Sequence, residues 1–207
     1  MSELLPLFPL ELVLFPGMSL PLHIFEPRYK EMIRLCLEHR QKLGVILALQ
    51  EAIPRVGCSA AIVKVVRRYD DGRMDILTVG QKRFRVVKLL EDLPYLQGNV
   101  DVLADEEEST LEPDSSARLR KLYEEIFSRV NGRAAEALEE EPGFPLSYEI
   151  AAELPLALDY KQKLLEMLSE GERRKSLADH LESWLPKLKR LDEVKRKAAG
   201  NGRGRPA

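Results

Sequence analysis

Cysteine is scarce in this sequence, whose 207 residues include only Cys36 and Cys58. Two cysteines are too few for a disulfide scaffold, so a reducing, cytoplasmic location is expected. Hydrophobic runs are short, and none approaches the ~20 apolar residues that a membrane-spanning helix needs. The first residues include Glu3 and no basic cluster, which does not match a secretory signal peptide.

Positive and negative charges nearly cancel, which leaves a net charge of −2 at pH 7. The chain as a whole therefore has no bulk attraction for nucleic acid, and binding to a polyanion would need a local basic patch. Hydrophobic residues make up 44% of the sequence, which is enough to form a core. The length fits one large domain or two small ones.

The first hundred residues are typical of a small β-rich domain. In residues 4–39 a Pro-Gly turn at 16–17 separates two predicted strands, and Pro27 begins a short predicted helix. An Asp-Asp-Gly-Arg segment at 70–73 joins two runs rich in β-branched residues, which is a strong hairpin signal. We predict about seven strands, with a further turn at Gly80, in a curled sheet or partly closed barrel.

The composition changes near residue 104, where an acidic stretch poor in apolar side chains is typical of a linker. The segments that follow carry apolar residues on one side at helical spacing. We therefore predict an α+β protein with a β-rich lobe at 1–110, a helical bundle at 111–192 and a disordered basic tail at 193–207.

No strong catalytic or metal-binding motif is present: the phosphate-binding loop, the nucleophile elbow and the H-E-x-x-H pair are all missing. Cys36 and His39 are three residues apart on the predicted helix, so they share a face. A zinc site would still need two more ligands, and a cysteine nucleophile would need an orienting group. We expect no catalytic residue, no metal and no cofactor.

Basic residues lie in two short clusters, Arg67-Arg68 and the pair Arg83 and Arg85 that flanks Phe84. Cations beside an aromatic ring can hold single-stranded nucleic acid through phosphate contacts and base stacking. Strand alternation predicts instead that Phe84 points inward and the arginines lie in solvent. The net charge favours the second interpretation.

Several stretches resemble the N-terminal, substrate-binding domain of Lon proteases. The opening matches in LPLFPLELVLFPGMSLPLHIFEPRYKEMI. Later landmarks follow in the same order, namely VGCSAAIVKVVRRYDDGRMDILTVGQKRFRVV, PYLQGNVDVL and LDYKQKLLEMLS. Together they span residues 4–190. The resemblance implies a PUA-like pseudo-barrel with a short helix, followed by a helical lobe.

The resemblance also implies recognition of unfolded or flexible polypeptide segments, with a protease or a chaperone as a further candidate partner. Because neither ATPase nor peptidase motifs follow, we expect a stand-alone, non-enzymatic module that binds neither nucleic acid nor membrane. The candidate binding residues are Phe15, Phe25, Arg28, Tyr29, Arg83 and Arg85. The alternative function is an RNA-binding PUA-like module that uses Arg67, Arg68, Arg83 and Arg85. A third hypothesis is an enzyme that uses Cys36 and His39.

Overall fold

The computed structural model describes residues 2–48, 54–105, 113–138 and 144–201, which contain six strands and five helices. The strands are β1 (Ser2–Leu10), β2 (Ser19–Ile24), β3 (Leu43–Leu47), β4 (Val56–Arg68), β5 (Met74–Leu90) and β6 (Gln97–Val102). The helices are α1 (Pro27–His39), α2 (Pro113–Asn131), α3 (Leu146–Glu153), α4 (Leu158–Glu166) and α5 (Glu170–Asn201). The predicted α+β class is confirmed.

The strands form one sheet in the order β2-β5-β4-β3-β1-β6, and β6 also pairs with β5. This second pairing closes β5, β4, β3, β1 and β6 into a ring, which is the predicted pseudo-barrel. Strand β2 lies outside the ring, on the first half of β5. Strands β1 and β3 are parallel, while the other paired strands are antiparallel.

The turn predicted at Gly80 is wrong, because β5 runs without a break from Met74 to Leu90. A Cβ atom on Gly80 would lie 2.1 Å from the carbonyl oxygen of Phe15, so the glycine permits a close approach of two backbone segments. The amide of Gly17 also donates to the Gly80 carbonyl at 2.9 Å. The count of about seven strands was too high because this one strand was divided in two.

The hairpin predicted from the Asp-Gly pair is confirmed, since it joins β4 to β5. The amide of Tyr69 donates to the carbonyl of Arg73 at 3.0 Å, and Gly72 has a φ of +80°. Within the hairpin β4 contains two register shifts, one between Ile62 and Lys64 and one between Val65 and Arg67. Each of these two shifts places one extra residue in β4, whereas a third, between Cys58 and Ala60, places the extra residue in β5.

Helix α1 covers one face of the β2–β5–β4 part of the sheet. Its buried residues Met32 and Ile33 belong to one apolar cluster with Ile24 of β2 and with Met74 and Ile76 of β5. The helix ends at Arg40, whose φ of 51° is left-handed, and the Gln41 amide donates to the Cys36 carbonyl at 2.9 Å. The opposite face of these three strands therefore faces away from the cluster.

The chain forms two compact units that differ from the predicted lobes. One unit comprises 1–107 and 140–170, and the other comprises 108–139 and 171–207. Helices α3 and α4 thus belong with the sheet, for example through Gln162 Nε2, which donates to the Val56 carbonyl at 3.0 Å. Contacts between residues about a hundred positions apart leave no local pattern in the sequence.

The second unit consists of α2 and most of α5, and ion pairs join the two helices. Arg129 near the end of α2 donates to Asp192 of α5 at 2.9 Å. Helix α5 continues to Asn201, whereas the sequence led us to expect disorder from residue 193. Lysine, arginine and alanine in this stretch favour a helix even without burial. Residues 202–207 of the predicted tail lie outside the described residues.

Candidate functional site on the outer face of the β2–β5–β4 sheet

The face of β2–β5–β4 that points away from α1 carries three cross-strand rows. Side chains of directly paired residues lie on the same side of a sheet. The rows are His23–Asp75–Arg67, Pro21–Leu77–Lys64 and Ser19–Val79–Ala61. All three β2 residues are exposed, and the β5 residues are half-buried. We call this surface the outer face. Its middle is apolar and reaches solvent, because Pro21 is exposed and Leu77 is half-buried.

Strand β2 also has a free edge, because β5 is its only partner strand in the described residues. The amide of Gly80 donates to the carbonyl of Met18 at 2.9 Å. In an antiparallel ladder this bond directs the backbone groups of the even-numbered β2 residues towards β5. The backbone groups of Ser19, Pro21 and His23 therefore point to the free edge, where Pro21 contributes a carbonyl but no N–H.

Phe25 follows β2 directly and is the largest apolar side chain at this edge. Its side chain is 58% exposed, and its ring lies 6.0 Å from the His23 ring in a stacked arrangement. An exposed aromatic ring beside an open strand edge is a suitable anchor for an apolar residue of a ligand. The prediction that Phe25 belongs to a binding site is compatible with this position.

A polar cluster lies at the Phe25 end of the outer face, and Asp75 is its centre. His23 Nδ1 donates to one carboxylate oxygen of Asp75 at 2.5 Å, and the Tyr69 hydroxyl donates to the other at 2.8 Å. These two hydrogen bonds, the one from His23 first, lower the pKa of Asp75 below its usual range. The Arg67 guanidinium lies 4.5 Å from the centre of the Tyr69 ring.

Two of the predicted binding residues are buried in apolar contacts. Phe15 has 0% exposure and stacks on Tyr148 with ring centres 4.9 Å apart. Tyr29 is 8% exposed and lies against Phe8, with ring centres 4.2 Å apart. A ligand could not reach either ring without moving the core, so these aromatic residues of the opening motif stabilise the fold.

Arg28 is at the surface, where its guanidinium forms an ion pair with Glu26 at 2.8 Å. The guanidinium also lies 4.6 Å from the centre of the Tyr29 ring. Both contacts are local, and they hold Arg28 over the start of α1.

Arg83 is buried, although the sequence analysis placed its side chain in solvent. It is 3% exposed and donates to the carbonyls of Leu165 at 2.9 Å and Met167 at 2.5 Å. It also donates to the Ala104 carbonyl at 3.4 Å and forms an ion pair with Asp105. Arg83 therefore caps the end of α4 rather than contacting a ligand, and only its long-range partners could have revealed this role.

The four arginines of the RNA-binding alternative do not form one patch. Arg67 pairs with Asp75 near the start of β5, whereas the exposed Arg85 pairs with Val56 near its end. A strand rises about 3.3 Å per residue, so roughly 30 Å of strand separates these two places. Phe84 is 1% exposed, as strand alternation predicted, and offers no face for stacking on a base.

The Cys36 and His39 pair lacks the properties of a reactive centre. Cys36 is 2% exposed, and burial raises the pKa of its thiol to about 11, while His39 is exposed. Burial also raises the pKa of Cys58 to about 12. In the part of the chain that the structure describes, no three His, Cys, Asp or Glu side chains converge to hold a metal ion. Nor is any helix there long and apolar enough to cross a bilayer.

No pattern in the sequence marked Pro21, Leu77 and Lys64 as neighbours on one surface. The two extra residues in β4 hide the alternation that would have shown which side chains share a face. Pro21 lies within an apolar run and resembles any other strand residue there. Knowledge of the strand register was needed to find this surface.

Comparison with known proteins shows that the sequence is similar to members of one protein family. The family model of the ATP-dependent protease La (LON) substrate-binding domain matches residues 4–183. A Lon protease of Dictyoglomus thermophilum is 28% identical over 86% of this chain, and Lon protease 2 of Myxococcus xanthus is 30% identical over 86%. The matched regions are 24% and 23% of those two proteins, so the chain spans about a quarter of the length of these relatives.

Solved structures show the same fold. The Lon N-terminal domain protein of Xanthomonas campestris has a TM-score of 0.67 and 25% identity, and the match covers 84% of this chain and 96% of that one. The N-terminal domain of a Mycobacterium avium complex Lon protease has a TM-score of 0.58 and 17% identity over 87% of this chain and 98% of that one.

Proposed function

The chain belongs to the family of Lon protease substrate-binding domains, and from this premise we propose that it binds flexible polypeptide segments without cleaving them. The observation that carries the proposal is the outer face itself: an apolar, solvent-facing sheet surface next to a free strand edge. Main-chain hydrogen bonds to such an edge give affinity for any extended chain, while side-chain contacts give selectivity.

The open edge and the apolar residues act together on the same ligand. An extended segment pairs with the free edge of β2, and its apolar side chains contact Pro21, Leu77 and Phe25. Each well-buried apolar anchor contributes roughly 1.5–3 kcal/mol before ordering costs are subtracted. One anchor therefore gives weak binding, and segments with several apolar residues bind best, as is typical of unfolded protein.

We further propose that the chain works in the cytoplasm, without a cofactor, and that it recognises polypeptides rather than catalysing a reaction. A protease or a chaperone acts on the polypeptide that it holds. The support for this division of roles is the non-catalytic character of the substrate-binding domain and the burial of both cysteine thiols.

The direct test is fluorescence anisotropy of a labelled, permanently unfolded polypeptide titrated with the protein. We expect Phe25→Asp to weaken binding at least tenfold, because a lost anchor of ~1.5 kcal/mol corresponds to about that factor. Val87→Asp is the matched control, since Val87 is 56% exposed and Phe25 is 58% exposed, but Val87 lies on the second half of β5. Equal affinity of the two variants would contradict the proposal.

A further inference from the structure

The two extra residues of β4 determine which side chains reach the outer face. Ile62 and Val65 contact the apolar cluster beneath the sheet, and the extra residues Val63 and Val66 are 54% and 59% exposed. In a regular strand with Ala61 on the outer face, the outward positions would be 63, 65 and 67. The bulges replace this period of two, so that Lys64 pairs with Leu77.

The result is a row of cations along one border of the apolar surface. Lys64 and Arg67 are both exposed, and they lie opposite Leu77 and Asp75 of β5. Bulges commonly re-aim side chains in this way, and here two within a few residues bring two cations to the same face. The bulges in the β4 backbone, and not a regular alternation of residues in the sequence, therefore place Lys64 and Arg67 on the same face.

These cations have few carboxylate neighbours. Asp75 already accepts hydrogen bonds from His23 and Tyr69. Within the described ranges neither Lys64 nor Arg67 forms an ion pair within 4 Å. Arg67 contacts the Tyr69 ring and is attracted by Asp75, the one carboxylate directly opposite it on β5, so two cations face a single carboxylate. The nearby Arg73, which also lies over the Tyr69 ring, is by contrast paired with Asp71 at 2.6 Å. The row therefore carries an excess of positive charge beside an apolar surface.

We propose that the outer face selects polypeptide segments that carry aspartate or glutamate next to apolar residues. Lys64 and Arg67 bind the carboxylates, while Pro21, Leu77 and Phe25 contact the apolar side chains. This inference rests on the proposed function, because it assigns a ligand class to the same surface. Charge complementarity at the border of an interface mainly sets selectivity and the rate of encounter.

The test uses three labelled, unstructured peptides with the same apolar residues and with acidic, uncharged or basic residues between them. Anisotropy titrations at low salt are expected to show the acidic peptide binding roughly three- to tenfold more tightly than the uncharged one, as two exposed ion pairs allow. The basic peptide binds more weakly than either. High salt reduces these differences because it screens exposed charges.

Charge reversal identifies the residues responsible. The double variant Lys64→Glu, Arg67→Glu is expected to bind the basic peptide more tightly than the acidic one, with the affinity for the uncharged peptide unchanged. The matched control is Lys82→Glu, Lys88→Glu, which makes the same change in net charge at two exposed lysines of β5 outside the outer face. The control should keep the preference of the natural sequence.

The outcomes separate the two proposals. Equal affinity for the three peptides, or inversion of the preference by the control variant, overturns the charge selectivity but leaves polypeptide binding intact. Failure of the uncharged peptide to bind overturns the proposed function and the inference that rests on it. Tighter binding of a single-stranded RNA oligomer than of the acidic peptide, lost in the Lys64 and Arg67 variant, replaces the acidic segment with a general polyanion site.

Discussion

Replacing Arg83 by methionine removes a buried cation that joins three parts of the sheet-containing unit. The guanidinium binds the carbonyls of Leu165 and Met167 at the end of α4, the Ala104 carbonyl, and the carboxylate of Asp105. Hydrogen bonds to charged groups contribute ~1.5–3 kcal/mol each, and breaking a buried ion pair costs ~3–5 kcal/mol. The Asp105 side chain is 38% exposed and can be solvated again, which places the expected loss near the lower limit, about 3 kcal/mol.

The assay is urea denaturation followed by far-UV circular dichroism, with Arg85→Met as the matched control two residues along β5. The exposed Arg85 should lose no more than about 0.5 kcal/mol. In a thermal scan, ~3 kcal/mol corresponds to a fall in Tm of roughly 6–12 °C for a chain of this size. If Arg83→Met is as stable as Arg85→Met, the interpretation of Arg83 as a structural cap is wrong. Arg83→Lys should recover only part of the stability, because an ammonium cannot reproduce the planar fork.

Three further predictions concern other sites in the sheet-containing unit. The thiols of Cys36 and Cys58, with pKa values raised to about 11 and about 12, should react with a thiol reagent at pH 8 only after denaturation; rapid reaction of the native protein would contradict their burial. Gly80→Ala should destabilise the protein by about 2 kcal/mol or more, because its Cβ would lie 2.1 Å from the Phe15 carbonyl oxygen; an unchanged urea midpoint would show that the backbones can separate freely. Because the pKa of Asp75 is lowered in the folded protein, its ionised carboxylate stabilises the fold above the unfolded-state pKa of about 3.9. This stabilisation is lost as the pH falls through the lower folded-state pKa. The Tm difference between the natural sequence and Asp75→Asn should therefore be constant near neutral pH and shrink below about pH 4, whereas a pH-independent difference would refute the role of the ionised carboxylate.

Local chemistry in the sequence predicted much of the fold. The Asp-Gly pair before Arg73 marked the hairpin, where Gly72 has a φ of 80°. Pro27 marked the start of α1. Each of these signals depends on a few neighbouring residues, so a single sequence contains all the information that is needed.

Features that depend on distant residues could not be predicted in this way. Gly80 suggested a turn because glycine is frequent in turns, but the real reason for it lies at Phe15, far away in the sequence. The same limit applies to α3 and α4, which join the sheet unit rather than a bundle with α2 and α5. Long-range packing decided both cases.

The candidate site was predicted only in part. Phe25 was named from the opening motif, and it lies at the open end of β2. Phe15 and Tyr29 came from the same motif, but a motif does not separate rings that stabilise a core from rings that contact a ligand. Lys64 and Leu77 escaped notice because two bulges set their register.

Amide hydrogen exchange, measured with and without a saturating unfolded polypeptide, shows whether such a chain binds along the free edge of β2. We predict slower exchange at the amides of Ser19 and His23, which point to the free edge, and unchanged exchange in the second half of β5 around Val87. Protection around Val87 with no change at Ser19 and His23 would rule out pairing with β2 and place the binding surface elsewhere.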